Sequence, residues 1–148
     1  MLRRLIPPKT NNKRALFAIA HADDLLLFAG GTAISLVNAG WEVAVVRVTD
    51  DRWDSYNLSE RETIHRNKAE FDAALEKIGI NQIFELGMKT DLLGDASEVE
   101  LRKEFIRIIR DFKPYLTVTF DPDSYLYEDN QDHRLVGIAM AEANWAAG

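Results

Sequence analysis

Two periods of apolar and polar residues run along the chain, and the switches between them mark its elements. Ala15-Leu16-Phe17-Ala18-Ile19-Ala20 is a short unbroken apolar run, the pattern of a strand buried on both faces. Leu25 to Asn38 carries Ile34, Leu36 and Val37 among small residues. It reads as a helix closing near Ala39-Gly40, with the glycine as its cap. Glu42 to Thr49 is a second buried strand, ending in Asp50-Asp51, and a loop with Trp53 and Tyr56 spans 51–58. Ser59 with Glu62 three residues on is a capping-box signature. The helix it opens runs to about Lys77, with Ile64, Phe71, Ala74, Leu75 and Ile78 on one face, and Gly79 ends it. Gln82 to Leu86 is a third strand. Ser97 precedes a helix with Leu101, Phe105, Ile108 and Ile109 at helical spacing, which Pro114 stops. Tyr115 to Phe120 is a fourth strand, Asp121 to Asp132 a polar loop, and about His133 to Ala143 a last helix.

Strands alternating with helices predict an α/β fold with a mostly parallel sheet and right-handed crossovers, a Rossmann-like three-layer αβα arrangement. The strand order expected is 3-2-1-4. In such sheets ligands bind beyond the carboxyl ends of the strands, where the order reverses. His21 follows strand one and His133 follows strand four. That order makes the two strands neighbours and carries both histidines to one crest. Residues 1–13, with Pro7-Pro8 and Thr10-Asn11-Asn12, read as a flexible N-terminal arm, and 14–148 as one domain.

Composition narrows the chemistry. Net charge is −6, which argues against a general nucleic-acid binder, since that role needs clustered Lys and Arg. No apolar run approaches a membrane span, and the basic start lacks the apolar stretch of a secretory leader. A cytoplasmic protein is expected, without nucleic-acid or membrane partners. There are no cysteines, so any metal must sit on His and carboxylate.

His21, Asp23 and Asp24 cluster at the end of strand one. The spacing of His21 and Asp24 lets one turn present both to a single divalent ion, with His133 as third ligand. Three protein ligands leave room for water, the arrangement of a catalytic zinc site. Asp23, pointing to the same space, suits a general base. The same residues also read as a helix cap with a first-turn acid and a polar helix start at His133. Spacing alone leaves both readings open. A receiver-like regulatory domain would carry a phospho-acceptor Asp after strand three, where this chain has Glu85-Leu86-Gly87-Met88. Gly30-Gly31 lacks the spacing of a dinucleotide fingerprint. The acidic loop Asp121, Asp123, Glu128, Asp129 and Asp132 lacks the pattern of an EF-hand. Asp50-Asp51 reads as a turn or cap first and a sugar contact second. His65 reads as a surface residue. Asp91, after strand three, is placed to face the site.

Ala20-His21-Ala22-Asp23-Asp24-Leu25 with Gly30-Gly31-Thr32, and Asn130-Gln131-Asp132-His133-Arg134-Leu135-Val136-Gly137, together resemble the two signatures of the PIG-L/LmbE-like de-N-acetylases. The resemblance covers nearly the whole chain from Ala15. It implies zinc-dependent hydrolysis of an N-acetyl group on a small-molecule amino sugar or sugar conjugate. It makes His21, Asp24 and His133 the metal ligands, Asp23 the base, and Asp132 a residue that orients a ligand or substrate. Arg66 lies where the family often carries a substrate-contacting arginine. Ala22 replaces the usual proline, Leu25 an acid, and Asn130 a histidine held to stabilise the oxyanion or protonate the leaving amine. Asn donates a hydrogen bond but carries no proton. Asp23 then serves as base and acid in turn, or activity is reduced. The alternative is a non-catalytic member that binds a sugar conjugate or a metal. Family catalytic domains usually continue past the point where this chain stops, so an uncovered sheet edge and self-association are expected.

Overall fold

The computed structural model describes residues 9–123 and 130–148. The first eight residues of the expected arm and Glu128 and Asp129 of the acidic loop lie outside them. Strands β1 (Arg14–Ile19), β2 (Glu42–Thr49), β3 (Gln82–Met88) and β4 (Leu116–Val118) form one sheet in the order β3-β2-β1-β4. Every pairing is parallel, with Ala15 opposite both Val43 and Leu116 and Phe17 opposite Val45 and Val118. The expected architecture and strand order are those found.

Helices α1 (Gly30–Asn38), α2 (Glu60–Lys77), α3 (Glu98–Phe112) and α4 (Gln131–Ala147) cover both faces. Because side chains alternate along a strand, β1 divides its residues between two cores. Ala15, Phe17 and Ile19 pack with Leu36 of α1 and with Phe71 and Leu75 of α2. Leu16, Ala18 and Ala20 pack with Phe105 and Ile108 of α3 and with Val136 and Met140 of α4. Full burial of an aliphatic or aromatic side chain of this kind contributes about 1.5–3 kcal/mol.

Local chemistry sets most helix ends. The capping box of α2 is present, with Ser59 Oγ accepting from the Glu62 amide at 3.3 Å and Glu62 Oε2 accepting from the Ser59 amide at 3.0 Å. Lys113 ends α3 in the left-handed conformation, at φ 52, immediately before Pro114. Asn12 and Lys13 are tied down, Asn12 Nδ2 donating to the Lys113 carbonyl and Lys13 Nζ to that of Ala39.

Three elements depart from the sequence pattern. The helix expected from Leu25 opens as a π-helical turn, Leu25–Ala29, before α1 proper. The preceding Asp24 carboxylate turns back to accept from the Ala20 and His21 amides and gives no cap, and the wide turn leaves Leu27 and Phe28 exposed. Such turns recur at functional sites. The fourth strand is only three residues long; it is an edge strand, and beyond Val118 the chain leaves β1 for the crest. Helix α4 begins two residues early because Asn130 Oδ1 accepts from the Asp132 and His133 amides, at 2.9 and 3.3 Å. Gly137 lies where α4 crosses the backbone after β4. A Cβ there would stand 2.7 Å from the Phe120 carbonyl oxygen.

Candidate metal and active site

The crest between β1 and β4 collects His21, Asp24 and His133, all buried. His133 Nε2 lies 3.0 Å from Asp24 Oδ1 and 3.1 Å from His21 Nδ1, and His21 Nδ1 lies 3.5 Å from Asp24 Oδ2. These three offer one ligand atom each within a single small cluster. Ligands about 2.0–2.1 Å from a tetrahedral zinc stand roughly 3.3 Å from one another. The observed spacings of 3.0–3.5 Å bracket that value, and two imidazoles with a carboxylate are a donor set of the right kind. The residues therefore fit a divalent ion.

Each of the three side chains is held from behind. Asp24 Oδ2 accepts from the amides of Ala20 at 3.1 Å and His21 at 2.7 Å. The other ring nitrogen of His21, Nε2, lies 3.4 Å from Asp132 Oδ2. Asp132 is itself 1% exposed and accepts from the backbone amides of Asp91 at 2.7 Å and Leu93 at 3.4 Å. A carboxylate behind a histidine fixes its tautomer and leaves the opposite nitrogen for a metal. The His133 ring stacks on Phe120, centroids 4.0 Å apart and planes 5° apart, with Phe28 edge-on at 5.9 Å.

The electrostatics favour an ion pair in the metal-free chain. Burial alone would lower the His21 pKa. Hydrogen bonds to Asp132 and Asp24, with the charges of Asp24 and Asp51, outweigh it and raise the value from 6.5 to about 10. Burial would raise Asp24, yet its bonds to His133, to the His21 side chain and to the His21 amide lower it from 3.8 to about 2. A cation can take the place of the proton on His21 Nδ1.

Asp23 is exposed and lines a cavity of about 320 Å³ with Ala22, Leu26, Asp54, Asn67 and Glu70. Asp54 accepts from Asn67 Nδ2 at 2.8 Å. Burial, with the charges of Asp23 and Asp91, raises its pKa. Neither Asp54 nor Asn67 carries a sequence signal beyond a polar loop and a polar helix face. Asp91 joins His21 and Asp132 in a second small cluster and is exposed. Arg66 stands on α2, exposed, paired with Glu70 at 2.9 Å. His65 is exposed. Asp50 accepts from Arg52 Nε at 3.1 Å, and Trp53 Nε1 donates to Glu60.

With this geometry in hand, the relatives can be read. The family model described as PIG-L: GlcNAc-PI de-N-acetylase matches residues 16–144. The chain belongs to that family. Among PIG-L relatives, diacetylchitobiose deacetylase of Thermococcus kodakarensis is 31% identical over 144 residues, covering 95% of this chain and 52% of that protein. The 1D-myo-inositol 2-acetamido-2-deoxy-alpha-D-glucopyranoside deacetylase of Mycobacterium sp. (strain KMS) is 28% identical over 158 residues, covering 89% and 51%. The solved N,N'-diacetylchitobiose deacetylase from Pyrococcus horikoshii, complexed with its inhibitor MPG, superposes with a TM-score of 0.82 at 29% identity, over 90% of this chain and 49% of that one. The chain thus spans about half the length of the curated PIG-L relatives it matches. Among the described residues, no helix is long and apolar enough to cross a membrane.

Proposed function

We propose that this chain carries the metal-binding site of a de-N-acetylase that hydrolyses the N-acetyl group of an amino sugar or sugar conjugate. The observation that carries the reading is the convergence of His21, Asp24 and His133 at the crest of β1 and β4, in a family whose named relatives act on N-acetylated sugars. A divalent ion held there, zinc by its donor set, would supply Lewis-acid polarisation of the amide carbonyl and a lowered pKa for the attacking water.

The chain's own residues do the rest. Asp23, beside the ligands and open to the cavity, accepts a proton as the water oxygen bonds to the carbonyl carbon. The carbon–nitrogen bond then breaks, the same proton passes from Asp23 to the amine nitrogen, and acetic acid and the amine result, which leave as acetate and ammonium once the acid's proton has moved to the amine. Asn130 caps α4 through its side-chain oxygen and stands three residues before His133. Asp132 holds the His21 tautomer. The cavity beside Asp23 receives the sugar ring, with Asp91 available to a hydroxyl from the His21 side. Arg66 reaches that ring only by leaving Glu70, which lines the cavity.

The test is metal content with acetate release from a panel of N-acetylated amino sugars. The wild-type chain is expected to bind about one ion and release acetate. Asp23→Asn should retain the ion and lose roughly 10²–10⁴-fold in rate, His133→Ala should lose the ion, and Asn130→His should raise the rate per bound ion while weakening metal binding through loss of the α4 cap. Unchanged metal and acetate release in His133→Ala would sink the assignment. Metal bound without acetate release from any sugar would favour a non-catalytic sugar- or metal-binding member.

A further inference from the structure

Arg47 interrupts the apolar run of β2, Glu42-Val43-Ala44-Val45-Val46-Arg47-Val48-Thr49, yet its side chain is 3% exposed. Its guanidinium lies 5.1 Å over the ring of Phe71 on α2. Nη1 donates to Asp51 Oδ2 at 2.9 Å and Nη2 to Glu85 on β3 at 3.1 Å, while the buried Nε has no hydrogen-bond partner among the described residues. Asp51 is fully buried and sits at φ 56, a conformation that a non-glycine residue adopts at a cost. Its Oδ2 also accepts the backbone N–H of Ala22 at 3.2 Å, and Oδ1 lies 3.4 Å from Thr49 Oγ1.

A buried ion pair is weak as a source of stability, because desolvation offsets most of its attraction. This one also uses a left-handed backbone position and leaves Arg47 Nε without a hydrogen-bond partner among the described residues. Beyond its contacts with Phe71, Glu85 and Thr49, the pair grips the Ala22 amide, which lies between His21 and Asp23, the ligand and base of the reading above. We propose that Arg47 and Asp51 are positioning residues. They hold the His21-Ala22-Asp23-Asp24 turn so that His21 faces the metal cluster and Asp23 faces the cavity. The route runs from the α2 and β3 side of the sheet, through Phe71 and Glu85, to Arg47, to Asp51 and to the turn. The inference rests on the metal-site reading above for its effect on metal affinity, but not for the hold on the turn itself.

The decisive variants are Arg47→Met/Asp51→Ala, which removes both charges and the acceptor, and Arg47→Met/Asp51→Asn, which removes the charges but keeps an oxygen for the Ala22 amide. Neither leaves a buried charge without its partner across this pair. Thermal melts report folding. Cobalt titration, followed by its visible absorption, reports the metal geometry. Amide hydrogen exchange at Ala22 in the metal-free chain reports the turn. The Met/Ala variant is expected to fold, to bind cobalt about 10- to 100-fold more weakly, and to exchange the Ala22 amide faster. The Met/Asn variant should recover most of both. A folded Met/Ala variant with unchanged cobalt spectrum, affinity and Ala22 exchange would overturn the proposal. So would a Met/Ala variant too unstable to purify, since the pair would then hold the fold rather than the turn. If wild-type chain bound no cobalt, the metal reading would fall, and faster Ala22 exchange in Met/Ala would still support the hold on the turn.

Discussion

At the scale of single residues, the proposed site would set a cation against a proton for His21 Nδ1. The folded pKa of His21 is raised to about 10. Its contribution to the stability of the metal-free chain is therefore fully present below pH 6.5 and is lost as pH rises through 10. Asp24 is depressed to about 2, so its contribution is present above pH 3.8 and is lost as pH falls through 2. The melting temperature of the metal-free chain should fall between pH 7 and 10. The zinc-loaded chain should show no such fall, because the ion replaces the proton. At pH 7 zinc uptake should expel about one proton from His21, which calorimetry in buffers of different ionisation enthalpy will read. Uptake with no proton release would contradict the paired state described here. The convergence of His21, Asp24 and His133 was legible in the sequence, because a histidine and acids at a strand end form a dense local signal. Asp54 and Asn67 were not, because thirteen positions of chain separate them and only tertiary packing brings them to one cavity wall. Arg47 did leave a trace, as a charge inside an apolar strand, whose meaning needed the partner on the next turn.

Elements show where local propensity decides and where packing overrides it. The ends of α2 and α3 were readable because Ser59, Ser97 and Pro114 act within a few residues of themselves. The start of α4 was misplaced because Asn130 resembles a loop residue until its cap is seen. Two caps can therefore be compared. Ser59→Ala and Asn130→Ala should each cost about 0.5–2 kcal/mol in denaturant unfolding. Only Asn130→Ala should also weaken metal binding, since its cap sets the first turn that carries His133. Equal metal affinity in both variants would separate the α4 cap from the site. Gly137→Ala offers a test of sign. In a helix interior that change ordinarily gains up to about 1 kcal/mol. Here the new Cβ would press on the Phe120 carbonyl at 2.7 Å, so a net loss of about 1–3 kcal/mol is expected. Metal affinity should drop with it, because Phe120 is the ring on which His133 stacks.

For the whole molecule, the sheet order followed from the sequence because alternating buried strands and amphipathic helices admit few topologies. What the pattern did not show was the π-helical turn, since Leu25 to Asn38 has helical spacing throughout. That turn leaves Leu26, Leu27 and Phe28 at 42%, 69% and 66% exposure beside the site. Contiguous apolar surface of this kind favours association, and the short β4 leaves one edge of the sheet without a further strand among the described residues. Sedimentation velocity over a concentration series is expected to show self-association that Leu27→Lys reduces. A monomer at all concentrations, in wild type and variant alike, would rule the patch out as a contact.

The division of β1 between two cores has a practical corollary. A slip of one residue against β2 or β4 would send Phe17 and Ile19 to the α3 and α4 side and Leu16 and Ala18 to the other. It would also turn His21 away from His133 and carry it about 3.3 Å along the strand. With the proposed ion in place, its retention would act as a proofreader of strand alignment: a preparation folded in the wrong register would announce itself by losing the ion to a mild chelator.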